Sequence, residues 1–447
     1  MNNQKYRIND RPSLLETVPL SLQHVLVMLA STIPIPIIFG NALSWSLAEI
    51  SFLIQCSIFT AGISTMIQTF GVGPVGGKLP IIMGVSFTAI APAIAITASN
   101  DYATFLGSSM ICGVILGFLG PIIIDKAKKI LTPLITGTVV IMVGLALAGV
   151  SVANLAGGHG AANYGSIENY ILGGLTVAII LFINRTCKGF VKTVSVLIGM
   201  SITFILSIFM KAVDISSVAE AAWFSVPQPL KYGVSFDLGA VGILFIIYVV
   251  CLIEFVGDTT ATTVIVESRT PTDQELLGGV RASGFTSAIS GLFNALPNIS
   301  YSGNIGLLSL TGVGSRFVVG GSGVFLVLLG FCPKLSTLLS VIPNSIVGGA
   351  TLIMFGLITT AGIKLVTTKP LTERDGLILA LSIAVGLGFN YTPDALADYP
   401  YYVSVIISGI PGAAITAVIL NLLFPKEKEG KIDEISIKKD SAEAAAK

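Results

Sequence analysis

Pro297-Asn298-Ile299-Ser300-Tyr301-Ser302-Gly303-Asn304 leads straight into the apolar run Ile305-Gly306-Leu307-Leu308-Ser309-Leu310-Thr311. The opening residues mix turn formers with β-branched and aromatic types, so they read as a brief extended stretch. The segment that follows, near 303–313, is far too short for a bilayer core, which needs about 20 apolar residues per helix. Earlier in the chain Gly73-Pro74-Val75-Gly76-Gly77-Lys78-Leu79-Pro80 opens a second such segment in the same way. Extended backbone at membrane depth survives only where it pairs with other backbone or lines a wet cavity. The two stretches, near 79–83 and 299–303, are therefore predicted to pair antiparallel at mid-membrane, with two half-helix N-termini facing a common pocket.

The surrounding sequence is that of a membrane protein. Of 447 residues, 53% are hydrophobic and 11% charged, against roughly a quarter charged in a soluble domain. Spans are predicted near 18–40, 48–68, 80–98, 104–124, 130–153, 169–184, 191–212, 237–259, 281–296, 303–313, 317–341, 344–363, 376–390 and 402–424. The first of these is too long for a signal-peptide core and ends in Ile-Pro-Ile-Pro without a small-residue cleavage site, so it is expected to be retained. The net charge of +1 implies neither a nucleic-acid partner nor an acidic one. Cys56, Cys112, Cys187, Cys251 and Cys332 form no CxxC pair and read as small hydrophobes.

Basic residues orient the fourteen spans. With a cytoplasmic N-terminus, one set of loops holds Lys78, Lys126, Lys128, Lys129, Arg185, Lys188, Lys192, Arg269, Arg281, Arg316, Lys364, Lys369 and Arg374, and the other holds only Lys211, Lys231 and Lys334. Both termini are thus expected in the cytoplasm. The chain divides into halves, about 18–213 and 236–424, of seven spans each. Seven is odd, so the second half is inverted relative to the first, the common build of secondary transporters. The expected fold is an all-α membrane protein of fourteen transmembrane segments in 7+7 inverted repeats, with short antiparallel strands in segments 3 and 10.

Ionisable residues inside the membrane carry the chemistry. Val249-Val250-Cys251-Leu252-Ile253-Glu254-Phe255-Val256-Gly257-Asp258-Thr259 sets Glu254 and Asp258 one helical turn apart on one face. Such carboxylates are costly at mid-membrane and are functional by default. Two close together cannot both ionise cheaply, which suits the pair to carrying a proton; against this, Asp258 near the end of its span could simply cap the polar 259–275 loop. His24, beside Gln23, reads more readily as a hydrogen-bonded packing residue than as a functional one. Phe87, beside Ser86, is by default core or lipid-facing. Asn304 at the start of a half-helix can satisfy backbone groups or bind solute. Lys78 reads as one more positive-inside charge.

Tyr301-Ser302-Gly303-Asn304-Ile305-Gly306-Leu307-Leu308-Ser309-Leu310-Thr311 resembles the signature of the nucleobase–ascorbate transporters, which runs Gln, Glu or Pro and then Asn-x-Gly-x4-Thr. Gln23-His24, the segment from Leu79-Pro80 through Gly84, Ser86 and Phe87, and Glu254-x2-Gly257-Asp258 match the same family in the same order. The resemblance spans about 18–424. It implies cytoplasmic tails at 1–17 and 425–447, a substrate-binding core of 18–125 with 236–335, and a gate and dimerisation domain of 126–235 with 336–424. It also implies a homodimer in the bacterial inner membrane that moves like an elevator and imports a base with protons. Carried over by position, Glu254 would accept hydrogen bonds from base N–H groups, Phe87 would stack on the ring, and the backbone around Ser31, Gly303 and the flanking Tyr301 and Asn304 would reach the base edge. Asp258, His24 and Gln23 would support the site and tune its protonation.

Two departures bear on the substrate. Gly303 stands where uracil-type members have Glu and xanthine- or urate-type members have Gln, and Ser283 stands where many have Asp. Asp258 is the purine-type residue, which favours xanthine or uric acid over uracil, while the ascorbate branch also lacks a polar side chain at the Gly303 position. A sulfate- or bicarbonate-type transporter would share the fold, but paired carboxylates suit an anion poorly. No HExxH or GxSxG motif points to an enzyme. No cofactor is expected, and sodium is the alternative coupling ion.

Overall fold

A computed structural model describes residues 5–127, 132–158 and 160–424. Lys128, Lys129 and the expected C-terminal tail at 425–447 lie outside the described residues. The first half of the chain contains helices α1 (Leu14–Thr32), α2 (Pro34–Ala42) and α3 (Leu47–Phe70), strand β1 (Met83–Val85), then α4 (Ile90–Ser99), α5 (Tyr102–Ala127), α6 (Pro133–Leu155), α7 (Ile167–Thr186), α8 (Gly189–Thr193), α9 (Ser195–Phe209) and α10 (Ser216–Glu220). The second contains α11 (Leu238–Glu267), α12 (Asp273–Leu292), strand β2 (Asn298–Ser300), α13 (Gly303–Thr311), α14 (Arg316–Gly330), α15 (Pro333–Ser340), α16 (Asn344–Val366), α17 (Glu373–Tyr391), α18 (Tyr401–Ile407) and α19 (Gly409–Leu423).

Each predicted span overlaps a helix, yet only seven helices among the described residues are long and apolar enough to cross alone, or eight if α14 and α15, bent by 86°, are one span. Local chemistry explains the shortfall. The break at Ile33, where Pro34 starts α2, is not part of the shortfall, since α1 and α2 together count as one of the seven, Leu14–Ala42. Val194 and Ser408 interrupt the seventh and fourteenth segments, and α4 and α13 are half-helices. Helix α12 starts at a Thr272–Glu275 capping box, eight residues before its apolar run, so its polar first turn dilutes the hydropathy.

The interrupted segments meet. Strands β1 and β2 pair antiparallel in the register Met83↔Ser300, Gly84↔Ile299 and Val85↔Asn298. Ser86 N–H to the Pro297 carbonyl (2.9 Å) and Tyr301 N–H to the Ile82 carbonyl (3.0 Å) lengthen the ladder at its ends. Strand β1 thus starts four residues and ends two residues later than the expected 79–83, and β2 starts one residue before the expected 299–303. Pro80 has no N–H to lend to a ladder, so the strand forms after it.

Helix contacts come in matching pairs when the two halves are exchanged. Helix α5 packs on α12 as α14 packs on α3; α1 meets α14 as α11 meets α5; α8 meets α13 as α18 meets α4; and α7 with α9 matches α17 with α19. Helices α6 and α16 pack on each other, as the two strands do. Connections sort to two ends. At one, the Lys5 N–H reaches the Gly312 carbonyl (2.8 Å), Gly76 N–H the Gly278 carbonyl (2.8 Å), and Arg316 Nη1 the Thr69 carbonyl (3.0 Å). At the other, Leu230 N–H reaches the Leu292 carbonyl (2.9 Å), Lys334 N–H the Ala222 carbonyl (3.0 Å), and Trp45 stacks on Tyr232.

Glycines permit close backbone approach in two of these pairs. A Cβ on Gly113 would lie 2.6 Å from the Ala288 nitrogen on α12, and a Cβ on Gly62 the same 2.6 Å from the Val327 nitrogen on α14. Overpacking of this kind costs about 1–3 kcal/mol or more. Gly113→Val and Gly62→Val are each expected to lower the Tm of the purified protein by several degrees, whereas Gly242→Ala, which meets nothing within 4 Å, should leave it unchanged. Unchanged melting in both valine variants would contradict this packing.

Candidate functional site

Helix α11 runs past both strand-to-helix junctions and gives each one a carboxylate. Half-buried Glu254 accepts a hydrogen bond from Thr88 Oγ1 (3.3 Å), in the link between β1 and α4. One turn on, buried Asp258 accepts from Ser300 Oγ (2.7 Å) and Ser302 Oγ (3.0 Å), both on Oδ2, where β2 runs into α13. The pair that sequence places on one face is thus divided between the two halves of the fold. Asp258 binds hydroxyl groups rather than capping a loop, and helix α11 continues nine residues beyond it to Glu267. Neither half-helix has a side-chain cap at its N-terminus, so the positive ends of both dipoles stay available near the junctions.

A second network secures the start of α13. Asn304 Nδ2 donates to the Pro80 carbonyl (2.9 Å), and Asn304 Oδ1 faces His24 Nδ1 at 2.5 Å. A peptide carbonyl can only accept, so the amide nitrogen must face Pro80 and the amide oxygen must face the imidazole. His24 Nδ1 therefore carries the proton. Helix α1, the lead-in to β1 and the start of α13 are held by two bonds through one side chain. His24 acts here as a positioning residue, in contact with Asn304 and remote in the network from either carboxylate. Gln23 beside it is half-buried.

Two aromatic rings flank the strands. Phe87 packs edge-on against Phe355 of α16 (centroids 5.1 Å apart, planes at 85°), among Val143, Leu147 and Val250. Tyr301 packs with Val27, Leu307 and Val194. Phe87 thus joins the β1–α4 link to α16, and Tyr301 joins the start of α13 to α1. Buried Ser31 donates from Oγ to the Met28 carbonyl (2.9 Å) at the end of α1. Gly303 begins α13, and Ser283 is buried on α12. Lys78 lies in the exposed turn before β1 with positive φ, its N–H on the Gln68 carbonyl (2.9 Å).

Sequence reasoning missed Thr88, Ser300 and Ser302. The serines carried a signal, since hydroxyls two residues apart on either side of Tyr301 share one face of an extended strand. Thr88 gave none beyond its place after Phe87.

The sequence profile of a permease family matches residues 15–395. The chain is 38% identical over 413 residues to the uric acid permease PucJ of Bacillus subtilis (strain 168), covering 91% of this chain and 92% of that one. It is 34% identical over 441 residues to the xanthine permease XanP of Escherichia coli (strain K12), covering 95% of each. Among solved structures it resembles the transmembrane domain of a cyanobacterium bicarbonate transporter, BicA, with a TM-score of 0.59 at 15% identity over 93% of this chain and 100% of that one. It also resembles the murine Slc26a9 anion transporter in the inward-facing state, with a TM-score of 0.61 at 14% identity over 94% of this chain and 69% of that one. At such identities these two likenesses speak to the fold alone.

Asn304→Ala leaves the His24 N–H and the Pro80 carbonyl buried without their partner, at about 1–3 kcal/mol for each. The expected outcome is a clear fall in Tm, reproduced by His24→Leu and largely spared by His24→Gln, whose amide can still donate. Equal melting of the leucine and glutamine variants would remove hydrogen bonding as the reason His24 is there.

Proposed function

The chain belongs to the nucleobase–ascorbate transporter family, and on that premise we propose that it is a secondary active permease importing a purine base of the xanthine or uric acid kind. The observation that carries this reading is the bond from Thr88 to Glu254, which brings a half-buried carboxylate beside the segment bearing Phe87. A planar heterocycle suits one aromatic face plus a few polar contacts in an otherwise apolar pocket. Glu254 accepts ring N–H groups, Phe87 stacks on the ring, and the backbone around Ser31, Tyr301 and Gly303 meets the base edge. Asn304, His24 and Gln23 hold the half-helix in place. The relatives named as uric acid and xanthine permeases support a purine over uracil.

The wider architecture in this proposal is fourteen segments as 7+7 inverted repeats, supported by the matching contacts of the two halves. A core of 18–125 with 236–335 slides against a gate of 126–235 with 336–424 in an elevator motion, within a homodimer in the bacterial inner membrane. The segregation of Lys and Arg to one set of loops supports cytoplasmic termini. Glu254 and Asp258 lie on one helix, and no Lys or Arg stands beside either in its hydrogen bonds. A proton held between them couples uptake to the proton gradient, and Asp258 passes its state to α13 through Ser300 and Ser302.

Three measurements test the reading. Glu254→Gln is expected to abolish uptake of radiolabelled xanthine and uric acid, because an amide offers a mismatched donor and takes up no proton; wild-type uptake would sink the site assignment. Phe87→Ala should weaken binding by about 1–3 kcal/mol if the ring stacks on the base. In proteoliposomes an inward-acid gradient alone should drive accumulation that a protonophore abolishes. Accumulation that needs sodium and ignores the protonophore would make the carboxylates sodium ligands instead.

A further inference from the structure

The two halves of the chain begin in the same way. Ahead of α1, residues 5–10 run beside the start of α14. Lys5 N–H and Tyr6 N–H both reach the Gly312 carbonyl (2.8 and 3.1 Å), Gly314 N–H the Tyr6 carbonyl (2.8 Å), and Arg316 N–H the Ile8 carbonyl (3.0 Å). Ser315 Oγ adds a bond to the Asp10 carbonyl (2.6 Å), and Ile8 is buried. Ahead of α11, the chain runs beside the start of α5, where Ser235 N–H reaches the Ala103 carbonyl (3.1 Å) and Asp237 N–H reaches Ser108 Oγ (3.4 Å). Helix α14 stands in the second half where α5 stands in the first. Each lead-in therefore braces the helix that follows a half-helix, at the end away from the strand ladder.

The lead-in to α11 is tied at many further points, and its partners share one feature. Ser225 N–H bonds the Phe331 carbonyl (2.9 Å) and takes Gln55 Nε2 on its hydroxyl (3.0 Å). Asn294 Nδ2 bonds the Gln228 carbonyl (2.8 Å), and Leu230 N–H the Leu292 carbonyl (2.9 Å). Lys334 holds two carbonyls, Ala222 through its N–H and Ala219 through Nζ, both at 3.0 Å. Lys231 lies over the Phe52 ring, and Phe224 packs on Phe331. All of these partners fall in 18–125 or 236–335. Chain position would group the segment with the gate, but its bonds group it with the core. Helix α10 goes with it, since it packs on α15. Helix α9 packs chiefly on α7 and α16 instead. It ends where Lys211 takes positive φ and Ala212 N–H turns back to the Ser207 carbonyl (3.0 Å).

We propose that residues 216–237 ride with the core as a strap, the counterpart of the strap formed by 5–10, and that the chain crosses between gate and core within 210–215. The inference rests on the elevator reading and moves its border, placing 216–235 on the core. Packed bodies that move against each other need a few residues at an element's end to absorb the change in φ and ψ. The stretch between α9 and α10 is such a joint. The bonds of the strap then stay whole as the core moves, and the start of α5, with the far end of α4, stays braced throughout.

The test is cross-linking in a variant whose five cysteines are replaced by alanine. Gln55→Cys with Ser225→Cys joins the strap to the core, and Ile205→Cys with Leu338→Cys joins α9 to α15 across a cavity of about 300 Å³ that both residues line. Each pair is bridged with a short bis-methanethiosulfonate, complete bridging is confirmed by mass, and xanthine uptake is measured before bridging, after it and after reduction. Bridging 55 to 225 should leave uptake unchanged. Bridging 205 to 338 should abolish it until reduction restores it. Uptake lost on bridging 55 to 225 and restored by reduction overturns the strap. Uptake that persists with 205 bridged to 338 overturns the elevator reading and the strap with it, a result distinct from the first. Insertions give a second measure that needs no transport. Two glycines inserted between Ala212 and Val213 should leave the Tm unchanged, whereas the same insertion between Gln228 and Pro229, inside the strap, should lower it by several degrees. Equal melting of the two insertion variants overturns the placement of the joint.

Discussion

Peptide groups cannot be left unpaired in hydrocarbon, and the centre of this protein follows from how that constraint is met. Two buried segments lie outside any helix, and each would leave a row of bare N–H and C=O groups. The ladder between β1 and β2, three residue pairs with one further bond at each end, satisfies them. Because the strands come from different halves of the chain, one short ladder also fastens the halves together. The two half-helices start from its ends, so a pair of positive dipole ends is brought to one neighbourhood without any charged side chain.

Several polar side chains near that ladder hold its two helix junctions. Helix α11 gives Glu254 to the β1–α4 junction through Thr88 and Asp258 to the β2–α13 junction through two serines. Asn304 ties the start of α13 to the residue that precedes β1, with His24 as backing. These bonds form in surroundings where the alternative is an unpaired buried group, so removing one partner exposes the full desolvation penalty of the other. The carboxylates and the start of α13 are thus held by bonds to hydroxyls and backbone, and the aromatic rings by packing. Close approach of the long helices behind them, through Gly62 and Gly113, leaves that frame little room to yield.

The sequence by itself determined that the chain is a mostly helical membrane protein and that two carboxylates lie one turn apart on one of its helices. Apolar run lengths and the segregation of Lys and Arg are local quantities set by the bilayer, so helices appear wherever they were expected. Glu254, Phe87, Asn304 and Gly303 stood out because each is unusual for its depth or its place in a motif. Only the tertiary structure decided the rest. Strand register depends on which residue follows Pro80 with a free N–H and on the partner across the ladder, and neither is visible along the chain. Helical spacing put Glu254 and Asp258 together, but packing assigned them to different junctions, because each carboxylate takes its hydroxyl partners from a strand that is remote in sequence. Tyr301 is marked in the sequence by its place in the motif beside Gly303, but only the fold lays its ring over that glycine.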